Sequence, residues 1–262
     1  MSLATLQLPA VPIRFLPIQR ESARRTPTTL KTQCSSCHLR ELCLPCGLEP
    51  ADVMHLDHLG FGRRRVKAGS TLYHEGSSFK FIFAVRSGTF KSSLALSDGR
   101  EQISGFHVAG ELMGLDGVAQ GTHASSSIAL EDSEICAIPY AQLTEMSEGS
   151  SSLQRSVSRL MSREIVREHT LMLLLGSMSA DERLAAFLLN LSQRLKSLGY
   201  SANEFHLRMS RAEIGSYLGM TLETVSRTFS SFQQRHLMEV DKRHICITDM
   251  DGLKQAFEAR MR

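Results

Sequence analysis

The sequence contains no tryptophan and only four tyrosines in 262 residues. It has no apolar run near the ~18 residues of a membrane span; the densest stretch is Leu171 to Leu175. The first forty residues lack the apolar middle section of a secretory signal. They hold Arg14, Arg20, Arg24, Arg25, Lys31 and Arg40 against Glu21, a local charge of +5. No G-x-G-x-x-G fingerprint is present, which counts against a flavin or nicotinamide enzyme. The net charge of +3 does not by itself argue for nucleic acid. With 42% hydrophobic and 22% charged residues the composition is globular, which excludes collagen, wholesale disorder and a small disulfide scaffold. The expectation is a cytoplasmic chain of one large or two ordinary domains with no membrane partner.

Six cysteines stand out against this background. Cys34, Cys37, Cys43 and Cys46 follow a C-x2-C-x5-C-x2-C spacing, and Cys136 and Cys246 are isolated. In a reducing compartment such thiols point to metal or redox chemistry rather than disulfides. Dense thiolates suit zinc or an iron–sulfur cluster, and spacing alone does not choose between them.

Residues 1–33, with Pro9, Pro12, Pro17 and Pro27, read as a weakly ordered leader. Between 60 and 140, short apolar runs such as Phe81 to Val85 are broken by glycine turn signals, the pattern of a β-sandwich or barrel. Asp98-Gly99 is the clearest hairpin turn. From Ser151 the period changes: Leu153, Val157, Leu160, Met161 and Ile165 predict an amphipathic helix of about 25 residues. Its stripe must cover either the β region or a second copy of itself. A second helix opens at Ser179-Ala180-Asp181-Glu182, a capping box, and ends near Gly199.

Ser210-Arg211-Ala212-Glu213 is another capping box. It begins a short helix that ends at Gly219, after which Thr221 caps a helix running through Val225, Phe229 and Phe232. Helix, glycine-bearing turn, helix is the DNA-binding pattern. Glu223, Ser226 and Arg227 lie where a recognition helix meets base edges, and Leu237 to Ile247 read as a two-stranded wing. An ordinary αα-hairpin with solvated charges is the plain alternative. Residues 201–262 carry nine basic and eight acidic side chains, so the basic surface must be local and a dimer would help by doubling phosphate contacts.

Taken together, Cys34-Ser35-Ser36-Cys37 with Cys43, the stretch Glu134 to Pro139, and Leu222 to Arg227 resemble the FNR (fumarate–nitrate reduction regulator) type of transcription factor, a branch of the cyclic-AMP receptor superfamily. The resemblance spans roughly residues 34–250. It implies an α+β chain: a cysteine segment and β jelly roll over 34–150, a dimerisation helix over 151–176, and a winged helix-turn-helix over 177–262. It implies an oxygen-labile [4Fe–4S] cluster on Cys34, Cys37, Cys43 and Cys136, with Cys46 extra. Glu223, Ser226 and Arg227 would read a palindromic site in double-stranded DNA, with Thr221 and Arg211 beside them. Met161, Ile165, Glu168 and Met172 would form the homodimer seam, an acidic residue standing at the matching position in oxygen-sensing members. Arg86, Ser87 and Thr89, with the Asp98-Gly99 hairpin, would touch RNA polymerase. The stretch Thr122 to Ser126 lacks the arginine with which the cyclic-nucleotide branch holds its phosphate, so no cyclic nucleotide is expected. A zinc-stabilised or otherwise ligand-responsive regulator, or an iron–sulfur redox enzyme, are the alternatives.

Overall fold

Proline starts the first helix, α1 (Pro50–Leu59), at the position where its missing N–H costs nothing, and Gly60 ends it at φ +59°. Eight strands follow: β1 (Gly62–Val66), β2 (Thr71–Tyr73), β3 (Phe81–Ser87), β4 (Phe90–Ala95), β5 (Glu101–His107), β6 (Leu112–Met113), β7 (Ser126–Ala129) and β8 (Ser133–Pro139). They form two antiparallel four-stranded sheets, ordered β1-β8-β3-β6 and β2-β7-β4-β5. Tyr73, Phe83, Phe90, Met113 and Ile135 fill the space between them. This is the computed structural model of the chain, and it describes residues 32–96 and 99–258. The β4–β5 hairpin forms as expected, with Gly99 at φ +85°, Leu96 N donating to Arg100 O and Gly99 N to Leu96 O. Asp98 itself lies outside the described residues, as do residues 1–31 of the expected leader.

After α2 (Tyr140–Glu148) comes the long helix α3 (Ser151–Ser177), capped by Ser150, whose Oγ accepts from Leu153 N at 3.1 Å. It runs one residue past the expected boundary at 176. Then follow α4 (Ala180–Ser197), β9 (Glu204–His206), α5 (Arg211–Leu218), α6 (Leu222–Gln234), β10 (Met238–Asp241), β11 (His244–Ile247) and α7 (Met250–Glu258). Both expected capping boxes close reciprocally, at Ser179 with Glu182 and at Ser210 with Glu213.

Two cores link what the sequence reading kept apart. Leu44, Leu48, Val53, Leu56 and Phe61 pack with Ile82 and Ile138 of the roll and with Leu153 of α3. The C-terminal core around Leu184, Leu188, Val225 and Phe232 takes in Ile103, Phe106 and Val108 from β5 and the turn after it. Burying each such side chain stabilises by about 1.5–3 kcal/mol. Polar contacts fix the same junction. Ile103 N donates to Ser216 Oγ at 2.9 Å, and Lys91 lies between Glu101 (3.5 Å) and Glu213 (3.3 Å). Arg194 grips Glu111 with Nε at 2.8 Å and Nη2 at 2.6 Å. The first helix of the helix-turn-helix is therefore docked on the roll.

Candidate functional site

The cysteine loop is a series of tight turns. Cys37 N donates to Cys34 O, Cys43 N to Leu39 O and Cys46 N to Cys43 O. Asp57 of α1 anchors its start by accepting from Cys34 N and from the N–H and hydroxyl of Ser35. Cys136 reaches the loop from the middle of β8 and accepts from Thr32 Oγ1 at 3.4 Å. Burial pushes the Cys34 thiol up to about 12, and Cys43, Asp57, Cys136 and Cys37 push the same way. Burial also raises Cys43 to about 12, with Cys136 and Cys37 adding to it and the Leu44 N–H opposing it. Cys136 is raised chiefly by burial; Thr32, Arg86 and Arg63 oppose the rise. Every pair among Cys34, Cys37, Cys43 and Cys136 thus repels when ionised, and Cys46 enters none of these pairings.

Four thiols, Cys34 and Cys136 buried and Cys37 and Cys43 half-buried, cannot readily all ionise without a compensating positive group. Among the described residues, no three His, Cys, Asp or Glu side chains are arranged to hold a metal ion. A zinc ion needs all its sulfurs within about 2.3 Å of one point, whereas a cubane takes each thiolate at a separate corner. The donor chemistry fits a four-thiolate cluster, and so does a buried donor beside it. Among the described residues, Arg63 Nε has no hydrogen-bond partner.

The backbone of Cys46 is tied to α3. Its carbonyl accepts from Arg159, and Ser156 Oγ donates to Leu44 O at 2.8 Å. Asp52 accepts from Ser150 Oγ at 2.7 Å and from Ser152. The loop and α1 are thereby fastened to the first turns of α3. Farther along, Ile165, Val166, Met172 and Leu173 are each more than half exposed. The stripe that the sequence allowed to cover the β region is therefore left open there. Met161 is half-buried, and Glu168 is exposed on the same side of the helix as Ile165 and Met172.

A cavity of about 470 Å³ opens between the roll and α3. It presents carboxylates from Asp116, Glu164 and Glu168. Asp116 holds the stretch Thr122 to Ser126, accepting from Ser125 N and Oγ, both at 2.8 Å. Arg167 also lines the cavity but pairs with Glu164 and, at 3.8 Å, with Glu111. Burial, then Arg167 and Arg194, hold His107 well below the usual imidazole range, so it adds no cation.

In the C-terminal part, Gly219 caps α5 at φ +61° and Thr221 Oγ1 accepts from Thr224 N at 3.2 Å. Val225, Thr228, Phe229 and Phe232 turn inward, which leaves Glu223, Ser226 and Arg227 exposed. Its own N–H and the Thr221 hydroxyl hold Glu223 below the usual carboxylate range, so it remains an acceptor. Arg211 is placed differently. Its guanidinium lies 3.3 Å over the Phe229 ring, its Nη2 donates to Lys242 O, and burial lowers it to about 10. It braces α5, α6 and the wing turn. Gly215 is a packing requirement the sequence reading missed: a Cβ there would stand 2.6 Å from Met220 O. Gly215→Ala is expected to destabilise the chain by about 1–3 kcal/mol and to weaken DNA binding with it, measured by thermal melts and gel shift.

Of the residues assigned to polymerase, Ser87 is exposed but Thr89 is buried and donates to Glu131 at 2.9 Å. Glu131 in turn pairs with Arg208 of the C-terminal part at 3.1 Å. Arg86 donates from Nη1 to Cys37 Sγ at 3.5 Å. No helix among the described residues is long and apolar enough to cross a membrane.

Residues 63–150 match the family model of the cyclic nucleotide-binding domain, and residues 182–256 that of the Crp-like helix-turn-helix domain. Such a roll joined to such a helix-turn-helix defines a DNA-binding transcriptional regulator. The chain is 49% identical to the transcriptional regulatory protein btr of Bordetella pertussis, over 85% of this chain and 92% of that protein. It is 40% identical to the fumarate and nitrate reduction regulatory protein of Escherichia coli K12, over 85% and 89% respectively. The structure of FixK2 from Bradyrhizobium japonicum has a TM-score of 0.69 at 30% identity, covering 74% of this chain and 96% of that one. The chain belongs to the Crp/FNR family of transcriptional regulators, whose members bind DNA as dimers.

Proposed function

We propose that the chain is an oxygen-responsive regulator whose dimerisation and promoter binding are controlled by a [4Fe–4S] cluster on Cys34, Cys37, Cys43 and Cys136. The observation that carries this reading is that β8 brings buried Cys136 into one core with Cys34 and Cys43 of the loop, whereas the Cys46 carbonyl is tied to Arg159 of α3. When bound, the cluster supplies an oxygen-labile cross-link between the loop and β8. The loop, through Leu44, Cys46, Ser156 and Arg159, passes the state of that link to α3. The exposed face of α3 pairs with a second copy, and Glu223, Ser226 and Arg227 of each protomer read one half of a palindromic site, with Thr221 shaping the helix start. The Arg86–Thr89 turn and the Asp98-Gly99 hairpin face RNA polymerase. The acidic roll cavity is not a cyclic-nucleotide site. The protein acts in the cytoplasm as a regulator, not as an enzyme.

Anaerobic purification followed by iron, sulfide and absorbance measurement tests this. The parent protein and Cys46→Ser should each hold close to four irons and four sulfides, and Cys136→Ser should hold almost none. Zinc in place of iron, or loss of the site in Cys46→Ser but not in Cys136→Ser, overturns the assignment.

A further inference from the structure

We propose that Arg63 and Arg86 form a cationic wall around the thiol centre and set how long the group it holds survives in air. The inference rests on the iron–sulfur reading above. Neither residue has a ligating atom for iron, so both act as positioning residues through charge and hydrogen bonding.

Strand pairing places them. β1 and β8 run antiparallel with Arg63 directly opposite Cys136, and Arg86 stands on β3, the other neighbour of β8. Arg86 spans two acceptors, with Nη1 on Cys37 Sγ at 3.5 Å and Nε 3.4 Å from Glu134. Its side chain is only 18% exposed. The planar guanidinium suits this double grip, which the single ammonium of a lysine makes less rigidly.

Arg63 carries the sharper signal. Its Nε is buried with no acceptor among the described residues. A buried donor without a partner is costly, and native proteins keep few of them. Four thiolates with their inorganic core would bring net negative charge and several sulfur acceptors to this pocket. Asp57 adds another negative group, which the Cys34 and Ser35 N–H groups only partly offset. Two nearby guanidiniums supply the missing balance, and the orphan donor gains an acceptor. These ties lie far apart in sequence, and no local motif announces them.

The test uses the full-length chain, reconstituted without oxygen from ferrous iron and sulfide, as parent, R63Q, R86Q and R86K. Iron and sulfide per chain are measured first, then the decay of visible absorbance on exposure to air. R63Q and R86Q should lose absorbance about tenfold faster than the parent, the scale of one charge-assisted hydrogen bond. R86K, which keeps the charge, should recover most of that loss. The cluster-free forms of all four should melt within a few degrees of one another. If R63Q proves misfolded by that melt, R86Q and R86K decide the matter. Parental decay in R86Q, or a fast decay that R86K does not rescue, overturns the arginine proposal while leaving the iron–sulfur reading intact. A parent chain that takes up no iron and sulfide overturns both.

Discussion

Glu168→Ala lowers the dissociation constant of the cluster-free dimer at least a hundredfold, about 3 kcal/mol, and the variant binds DNA in air. The expectation follows from where α3 is open. Ile165 and Met172 are 55% and 63% exposed, and Glu168 lies between them on the same side. When two such helices pair in parallel, each Glu168 approaches its twin, and two carboxylates at a poorly solvated seam repel. Arg167 does not offset this, because it is already engaged with Glu164 and Glu111 of its own chain. Glu168 also faces Glu164, whose carboxyl is raised chiefly by burial and further by Glu168. Sedimentation equilibrium in air decides the point. The idea fails if the variant is as monomeric as the parent, or if the cluster-free parent is already a tight dimer.

Arg227→Ala removes discrimination among half-sites of about 1–3 kcal/mol each, and a palindrome counts it twice. Arg227 is exposed on α6, whose opposite side is anchored by Val225, Phe229 and Phe232. A bidentate arginine–guanine pair distinguishes bases, whereas a phosphate contact weakens all sequences alike. Titration of the variant against a panel of half-site changes at fixed salt should therefore give a flattened ranking. A uniform loss with the ranking preserved would assign Arg227 to the backbone.

The parts of the molecule legible in the sequence were those with a local cause. Ser179, Ser210 and Thr221 cap their helices through hydrogen bonds three residues away, and Gly219 takes the left-handed conformation that ends α5. The roll was legible from its turn glycines. α1 was not, because it buries only Val53 and Leu56 and its Glu49 N-cap makes no side-chain bond. β9 is three residues long and becomes a strand only by pairing with β11. Within the thiol centre, spacing pointed to the local run Cys34, Cys37, Cys43 and Cys46, and only the family resemblance brought in Cys136; Arg63, Arg86 and Asp57 lie on other elements. The docking of α5 on β5 joins Ser216 to Ile103 across more than a hundred residues. Arg211, expected beside the base-reading residues, also stacks on Phe229, a contact that its sequence position does not announce.

The 27 residues of α3 make a rod roughly 40 Å long at 1.5 Å per residue. One end is clamped to the cysteine loop by Ser156 and Arg159. At the other, Arg183 joins Leu175 O to Leu218 O, at 2.9 and 3.0 Å, and so to the end of α5. A rod pinned in this way is a lever. A tilt of about 5° at the loop end moves the far end by ~3 Å. In a dimer the two levers move symmetrically, so the gap between recognition helices changes by up to twice that. Successive half-sites on DNA lie about 34 Å apart, and side chains reach base edges over only a few Å. A small angular error at the thiol end is therefore enough to put both helices out of step with the groove.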